Sequence, residues 1–240
     1  MLEFNKIHNG DCLDLLFEVD DASIDLVILD PNYNEWDKLC EKGLICEAVR
    51  VLKPEGNILC FTKQPFDYEL RNEVNHIFRR ELTWTFSNGG AWVSNKMPLV
   101  SHQKIYWLSL NNKMFFNPRT GMEYEEGTKS GKRTNKVFEG YNEEGKDFIR
   151  SGEGTWLRDA LYFNKPTGIK PYIPAKPLDL IKVLIKCFSP TDGIVLDPFI
   201  GSGTTCVATL ELNVKDGSNR KYIGMEIEQK HIEHAIKRLG

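Results

Sequence analysis

Two short segments of this 240-residue chain carry residue types that could do chemistry together. Asp30-Pro31-Asn32-Tyr33 follows the apolar run Ile24–Leu29, and Leu196-Asp197-Pro198-Phe199-Ile200-Gly201-Ser202-Gly203-Thr204-Thr205 continues a second apolar run. Both runs read as buried strands, so both segments fall at strand ends. In the first, the Asp30 carboxylate and the Pro31 carbonyl can each accept one N–H of a flat amino-bearing ring. Tyr33 can stack on the ring face. Two acceptors so placed steer an exocyclic nitrogen toward tetrahedral geometry and free its lone pair to attack a methyl sulfonium. Because that methyl is already activated, alignment, desolvation and electrostatics can supply most of the catalysis without a strong base.

The second segment suits a cofactor. Gly201 and Gly203 would let the backbone bend sharply after a strand and come close to a ligand, with helix N–H groups behind them. The turn lacks the lysine of a phosphate-binding loop and is not a full GxGxxG pattern. Glu226 complements it: it closes the next apolar run 23 residues after Gly203, near the offset of about 20 residues at which an acidic side chain meets ribose hydroxyls.

The elements that must position these residues alternate between strand and helix. A short strand is expected near Phe4–His8 and a helix from Asp11, whose carboxylate can cap it. Ile24–Leu29 reads as a strand, Trp36–Val51 as a helix and Asn57–Phe61 as a strand after a turn at Pro54-Glu55-Gly56. A helix near Phe66–Phe78 and strands around Leu82–Phe86 and Lys104–Leu110 follow. From Asn111 to Gly154 there is little sustained periodicity. Pro177 suits a first helical position; a helix, the strand Gly193–Asp197, a helix after Gly203, the strand Lys221–Glu226 and a helix over Gln229–Leu239 complete the chain. The pattern predicts an α/β fold, a doubly wound and mostly parallel sheet.

With 41% hydrophobic residues, the chain can bury one substantial core with room for an inserted lobe. No run approaches the roughly 20 apolar residues of a membrane span, and the amino-terminal residues lack the pattern of a signal peptide, so a soluble intracellular protein is expected. Six scattered cysteines without a CxxC pair indicate neither a disulfide framework nor a metal site. The formal net charge is −3, but residues 79–186 hold 18 Lys and Arg against 11 Asp and Glu, while the remainder holds 13 against 23. A basic middle on an acidic body is what phosphate contact would require.

Taken together, these residues resemble the β class of amino-methylating DNA methyltransferases, over nearly the whole chain. In that family a catalytic motif comes early, a variable target-recognition region lies in the middle and the cofactor motif comes late. Here Asp30 precedes Asp197 by 167 positions in that order. Asn9-Gly10-Asp11 resembles the early segment whose acid contacts the cofactor adenine. Arg50-Val51-Leu52-Lys53-Pro54-Glu55-Gly56 resembles the structural helix end and turn. Lys176-Pro177-Leu178 resembles the cofactor-side segment before the Asp197 motif, and Ile223-Gly224-Met225-Glu226 the ribose-binding strand. The chain departs from the pattern at Asn32, where the family usually has a second proline, and at Tyr172, where a histidine is usual.

The resemblance implies a Rossmann-like methyltransferase fold with permuted motif order and S-adenosylmethionine as cofactor. It divides the chain into a catalytic half over 1–84, a target-recognition insertion over 85–170 and a cofactor-binding half over 171–240. Asp30, Pro31, Asn32 and Tyr33 would form the catalytic set, and Asp11, Lys176, Asp197, Phe199, Gly201, Ser202, Gly203, Thr204, Thr205 and Glu226 the cofactor set. An aspartate at the head of the catalytic motif favours adenine N6 as target, with cytosine N4 as the alternative. A duplex base is unreachable in the stack, so it would be flipped against Tyr33. Double-stranded DNA would meet Trp92, Lys96, Lys104, Arg119, Lys129, Lys132, Arg133, Lys136, Arg150 and Arg158, while Trp107 reads as core. The expected setting is the cytoplasm of a bacterium or archaeon, or a phage-encoded enzyme. There a homodimer and a cognate restriction endonuclease are compatible partners, with no membrane or metal involved. Two readings of other kinds stand beside this one: a chain that binds cofactor and DNA without transfer, motivated by Asn32, and an enzyme acting on RNA or a protein amide.

Overall fold

The computed structural model describes residues 2–33, 39, 42–87, 98–120, 156–166 and 175–240. Eight strands form one sheet: β1 (Lys6–Asn9), β2 (Ile24–Leu29), β3 (Leu52–Thr62), β4 (Phe78–Thr85), β5 (His102–Leu108), β6 (Ala160–Tyr162), β7 (Ile194–Asp197) and β8 (Lys221–Glu226). Their order is β1-β8-β7-β2-β3-β5-β4-β6. Every pairing is parallel except those of β5, which runs antiparallel to both β3 and β4. The described helices are α1 (Cys12–Phe17), α2 (Leu44–Val51), α3 (Phe66–Glu73), α4 (Leu178–Phe188), α5 (Thr204–Asp216) and α6 (Gln229–Leu239).

The central strands are apolar on both faces because helices cover both. Along β2, Val27 and Leu29 pack with α1, α2 and α3, whereas Leu26 and Ile28 pack with α4 and α5. This is the two-residue alternation of a strand buried on each side. The chain leaves β2 through α2 toward β3, and leaves β7 through α5 toward β8, in opposite directions along the sheet. Right-handed crossovers that diverge in this way put their helices on opposite faces and open a crevice between the two strand ends. The adjacent pair β2 and β7 is therefore the switch point.

β2, β8 and α6 have the bounds that periodicity predicts. The Pro54-Glu55-Gly56 segment does not form a turn between elements but lies inside β3: from Ile24↔Leu52 to Leu26↔Asn57 the pairing jumps, and these residues bulge from a strand that stays in the sheet. Pro177 caps α4 from outside rather than opening it. The 85–170 segment supplies β5 and β6 to the common sheet, with β5 between β3 and β4. No helix among the described residues is long and apolar enough to cross a membrane.

Candidate active site

The rim at the carboxyl ends of β2, β7 and β8 gathers residues from both ends of the sequence. Asp30 and Tyr33 leave β2 half-buried, Pro31 is buried and Asn32 is exposed. The Asp30 carboxylate is held on both oxygens: Tyr33 donates its hydroxyl to Oδ1 at 3.4 Å, a long contact, and Lys176 donates to Oδ2. Lys176 precedes α4, so an ion pair joins the motif expected to be catalytic to the segment expected to serve the cofactor. Its Nζ also stands 4.7 Å from the Phe61 ring centroid. Tyr33 has its own supports. Gln103 Nε2 donates to its hydroxyl at 2.6 Å, the Phe66 ring stacks on it with centroids 5.8 Å apart and planes at 18°, and Lys63 Nζ lies 4.7 Å from its centroid. Burial, reinforced by the nearby Asp30 charge, raises the Tyr33 phenol far above its ordinary range, so the hydroxyl keeps its proton.

Across the crevice, Asp197 ends β7 and organises the glycine turn. Its Oδ1 accepts the Phe199 N–H at 2.9 Å and its Oδ2 accepts the Thr205 hydroxyl at 2.6 Å. Burial raises its carboxyl from the usual 3.8 to about 7, against these hydrogen bonds and with help from the Asp30 charge. Gly201 and Gly203 both take left-handed backbone, at φ +49° and +80°. Their surroundings differ. A Cβ on Gly201 would meet nothing nearer than the Phe199 carbonyl at 3.8 Å, whereas one on Gly203 would strike the Ala235 Cβ at 2.7 Å. The open surface is at Gly201; Gly203 is needed because α6 packs against it.

Glu226 braces this turn from β8. Its Oε2 accepts the Gly201 N–H at 3.0 Å and its Oε1 accepts the Glu228 N–H at 2.9 Å. Beside it, β1 delivers Asn9, whose amide donates to the Glu226 and Ile227 carbonyls. Asp11 caps α1 by accepting the Leu13 N–H at 2.9 Å. The hydroxyls of Ser202 and Thr204 bond to each other, and both residues, with Thr205, are buried. These three shape the turn from inside. Phe199 packs on the core that includes α1 and α2. Asp11, Glu226, Asp197, Gly201, Asp30 and Lys176 thus share one sheet end.

Of the residues expected to meet DNA, Trp92, Lys96, Lys129, Lys132, Arg133, Lys136 and Arg150 lie outside the described residues, as does Tyr172. Arg158 is exposed. The Arg119 guanidinium lies 4.7 Å from the ring centroid of Trp156, which is 59% exposed. Lys104 is not available to phosphates: it pairs with Asp67 at 2.8 Å and Glu81 at 3.4 Å. Trp107 is core, donating its Nε1–H to the fully buried Asn57 at 2.7 Å. Gln103, Lys63 and Phe66 were not legible as site residues. They reach Tyr33 only through folding, and no local motif marks them.

A doubly wound sheet with a glycine turn and two acidic strand ends at its switch point defines a class: enzymes that hold a nucleoside-type cofactor above the strand ends, beside a polar reaction centre. The chain belongs to the DNA methylase family, whose model for N6 and N4 methyltransferases matches residues 25–237. It is a DNA methyltransferase. It is 25% identical over 260 aligned positions to the type II methyltransferase M1.MboII of Moraxella bovis, covering 98% of this chain and 96% of that one. Its fold is similar to that of the M1.HpyAVI–SAM complex, at 21% identity and a TM-score of 0.68 over 98% of both chains. It is equally similar to the cytosine-N4-specific PvuII DNA methyltransferase, at 16% identity and a TM-score of 0.68 over 98% of this chain and 86% of that one.

Proposed function

We propose that this methyltransferase acts on the exocyclic amino group of a base turned out of double-stranded DNA, with adenine N6 as its target and S-adenosylmethionine as its methyl source. The observation that best supports this reading is the common rim: Asp30 at the end of β2 opens beside Asp197 and Gly201 at the end of the neighbouring β7. S-adenosylmethionine, when bound, supplies a methyl group already activated on a sulfonium. The residues present fit it. Carboxylates at Asp11, Asp30 and Glu226 suit its positive charge, and the open face at Gly201 suits close backbone approach. Glu226 would hold the ribose with lone pairs left over from its two backbone bonds, since a carboxylate has about four acceptor sites.

On the acceptor side, Asp30 Oδ1 and the Pro31 carbonyl receive the two amino N–H bonds. Lys176 keeps Oδ2 engaged and thereby fixes the plane of the carboxylate. The stacked pair of Tyr33 and Phe66 gives the base its platform. The aspartate heading the motif supports adenine rather than cytosine. Recognition falls to the basic 85–170 segment, with Arg119 and Arg158 on its described part. The type II relative supports a restriction–modification setting; a bacterial cytoplasm, a cognate endonuclease and a homodimer enter the proposal from the family resemblance alone. Incubation with methyl-labelled S-adenosylmethionine and duplex DNA, RNA or protein tests the reading. Label should enter duplex DNA alone; label in RNA or protein instead would refute it.

A further inference from the structure

β5 is the one described strand that runs against the rest, and this reversal has a consequence for the site. Every other strand delivers its last residues to the catalytic rim, whereas β5 delivers its first, because Lys104 pairs with Thr62 at the end of β3 and Gln103 with Trp84 near the end of β4. Gln103 therefore stands where strand ends stand, 70 positions from Tyr33 in sequence and 2.6 Å from its hydroxyl. A hydroxyl has one proton to give and lone pairs to receive. With the Gln103 N–H donating into the phenol oxygen, the phenol proton is free to point at Asp30 Oδ1.

We propose that Gln103 is a positioning residue for methyl transfer: its amide orients the Tyr33 hydroxyl toward Asp30 and so locks the ring that receives the base to the carboxylate that receives the amine. The inference rests on the methyltransferase reading and adds a residue that touches neither base nor cofactor. The donor character of the amide is essential to it. A carboxylate in the same place would accept the phenol proton, pull it away from Asp30 and set a second negative charge beside the first. The high proton affinity that burial gives Tyr33 keeps that proton in place as a donor.

The test is a double-mutant cycle on the full chain, read as single-turnover transfer from methyl-labelled S-adenosylmethionine into genomic DNA from methylation-deficient bacteria. Gln103→Met should slow transfer by about three- to tenfold, the factor one neutral hydrogen bond is worth, with cofactor affinity unchanged and the melting temperature lowered by only a few degrees. In a Tyr33→Phe background the same change should have no effect, because the hydroxyl it acts through is gone. Gln103→Glu should lose at least as much as Gln103→Met although it keeps size and polarity. An equal loss in both backgrounds, no loss in either, or full activity of Gln103→Glu would overturn the inference while leaving the methyltransferase reading intact. No transfer by the unaltered chain would overturn both.

Discussion

Lys176 donates to the Asp30 carboxylate across 146 positions of sequence, so the segment just ahead of α4 ends on the carboxylate that follows β2. Only 18% of the lysine side chain and 30% of the aspartate are exposed, which makes this a better-shielded contact than a surface ion pair. The sequence resemblance groups Lys176 with the cofactor residues; its contact is with Asp30.

That difference is measurable. Lys176→Met should lower the single-turnover transfer rate by about 10- to 100-fold, in line with a charge-assisted hydrogen bond of about 1.5–3 kcal/mol. Affinity for S-adenosylmethionine should stay within about twofold. Isothermal titration and rapid-quench kinetics on the same preparation separate the two. A large fall in cofactor affinity with an unchanged rate at saturation would return Lys176 to the cofactor.

The two glycines of the turn should respond differently to a methyl group. Gly203→Ala combines left-handed backbone with a 2.7 Å clash on Ala235, and should cost about 2–4 kcal/mol of stability. Gly201→Ala meets open space and bears only the backbone cost, about 1–2 kcal/mol. Cofactor affinity should fall more for Gly201→Ala, whose side chain faces the open surface. Denaturant unfolding and cofactor titration of both variants check the pair.

Asp197 makes stability depend on pH. Its folded value of about 7 exceeds the unfolded 3.8, so between those limits the folded chain holds a proton that the unfolded chain has lost. Stability from this group therefore falls as pH rises from about 4 to 7 and is level above, a drop of about 4 kcal/mol at most. Asp197→Asn should remove this decline and leave the variant at least as stable as the parent at pH 8. Urea unfolding at a series of pH values measures it, and an unchanged slope in the variant would contradict it.

What the sequence made legible follows from where the information is local. β2 and β8 are six-residue strands, the first followed directly by Asp30 and the second closing on Glu226, and period and punctuation alone give their bounds. The Asp30 and Asp197 motifs were readable for the same reason, since each is a contiguous loop behind such a run. Pro54-Glu55-Gly56 reads as a turn by composition, yet the pairing of β2 with both ends of β3 holds it in the sheet as a bulge. β6 escaped notice because three residues paired at a sheet edge carry no period. The contacts of Gln103 and Lys176 were hidden because each partner lies far away in sequence, and only the sheet order brings them to one rim.

In the proposed reaction Asp30 receives a base amine above the strand ends. Base-resolved sequencing of DNA from cells expressing the chain, beside cells expressing Asp30→Ala, tests it most directly. N6-methyladenine at one short recurrent sequence, absent with Asp30→Ala although the variant still binds S-adenosylmethionine, is expected. Methylated DNA that is undiminished with Asp30→Ala, or a mark on a ring carbon rather than an amino nitrogen, would contradict it.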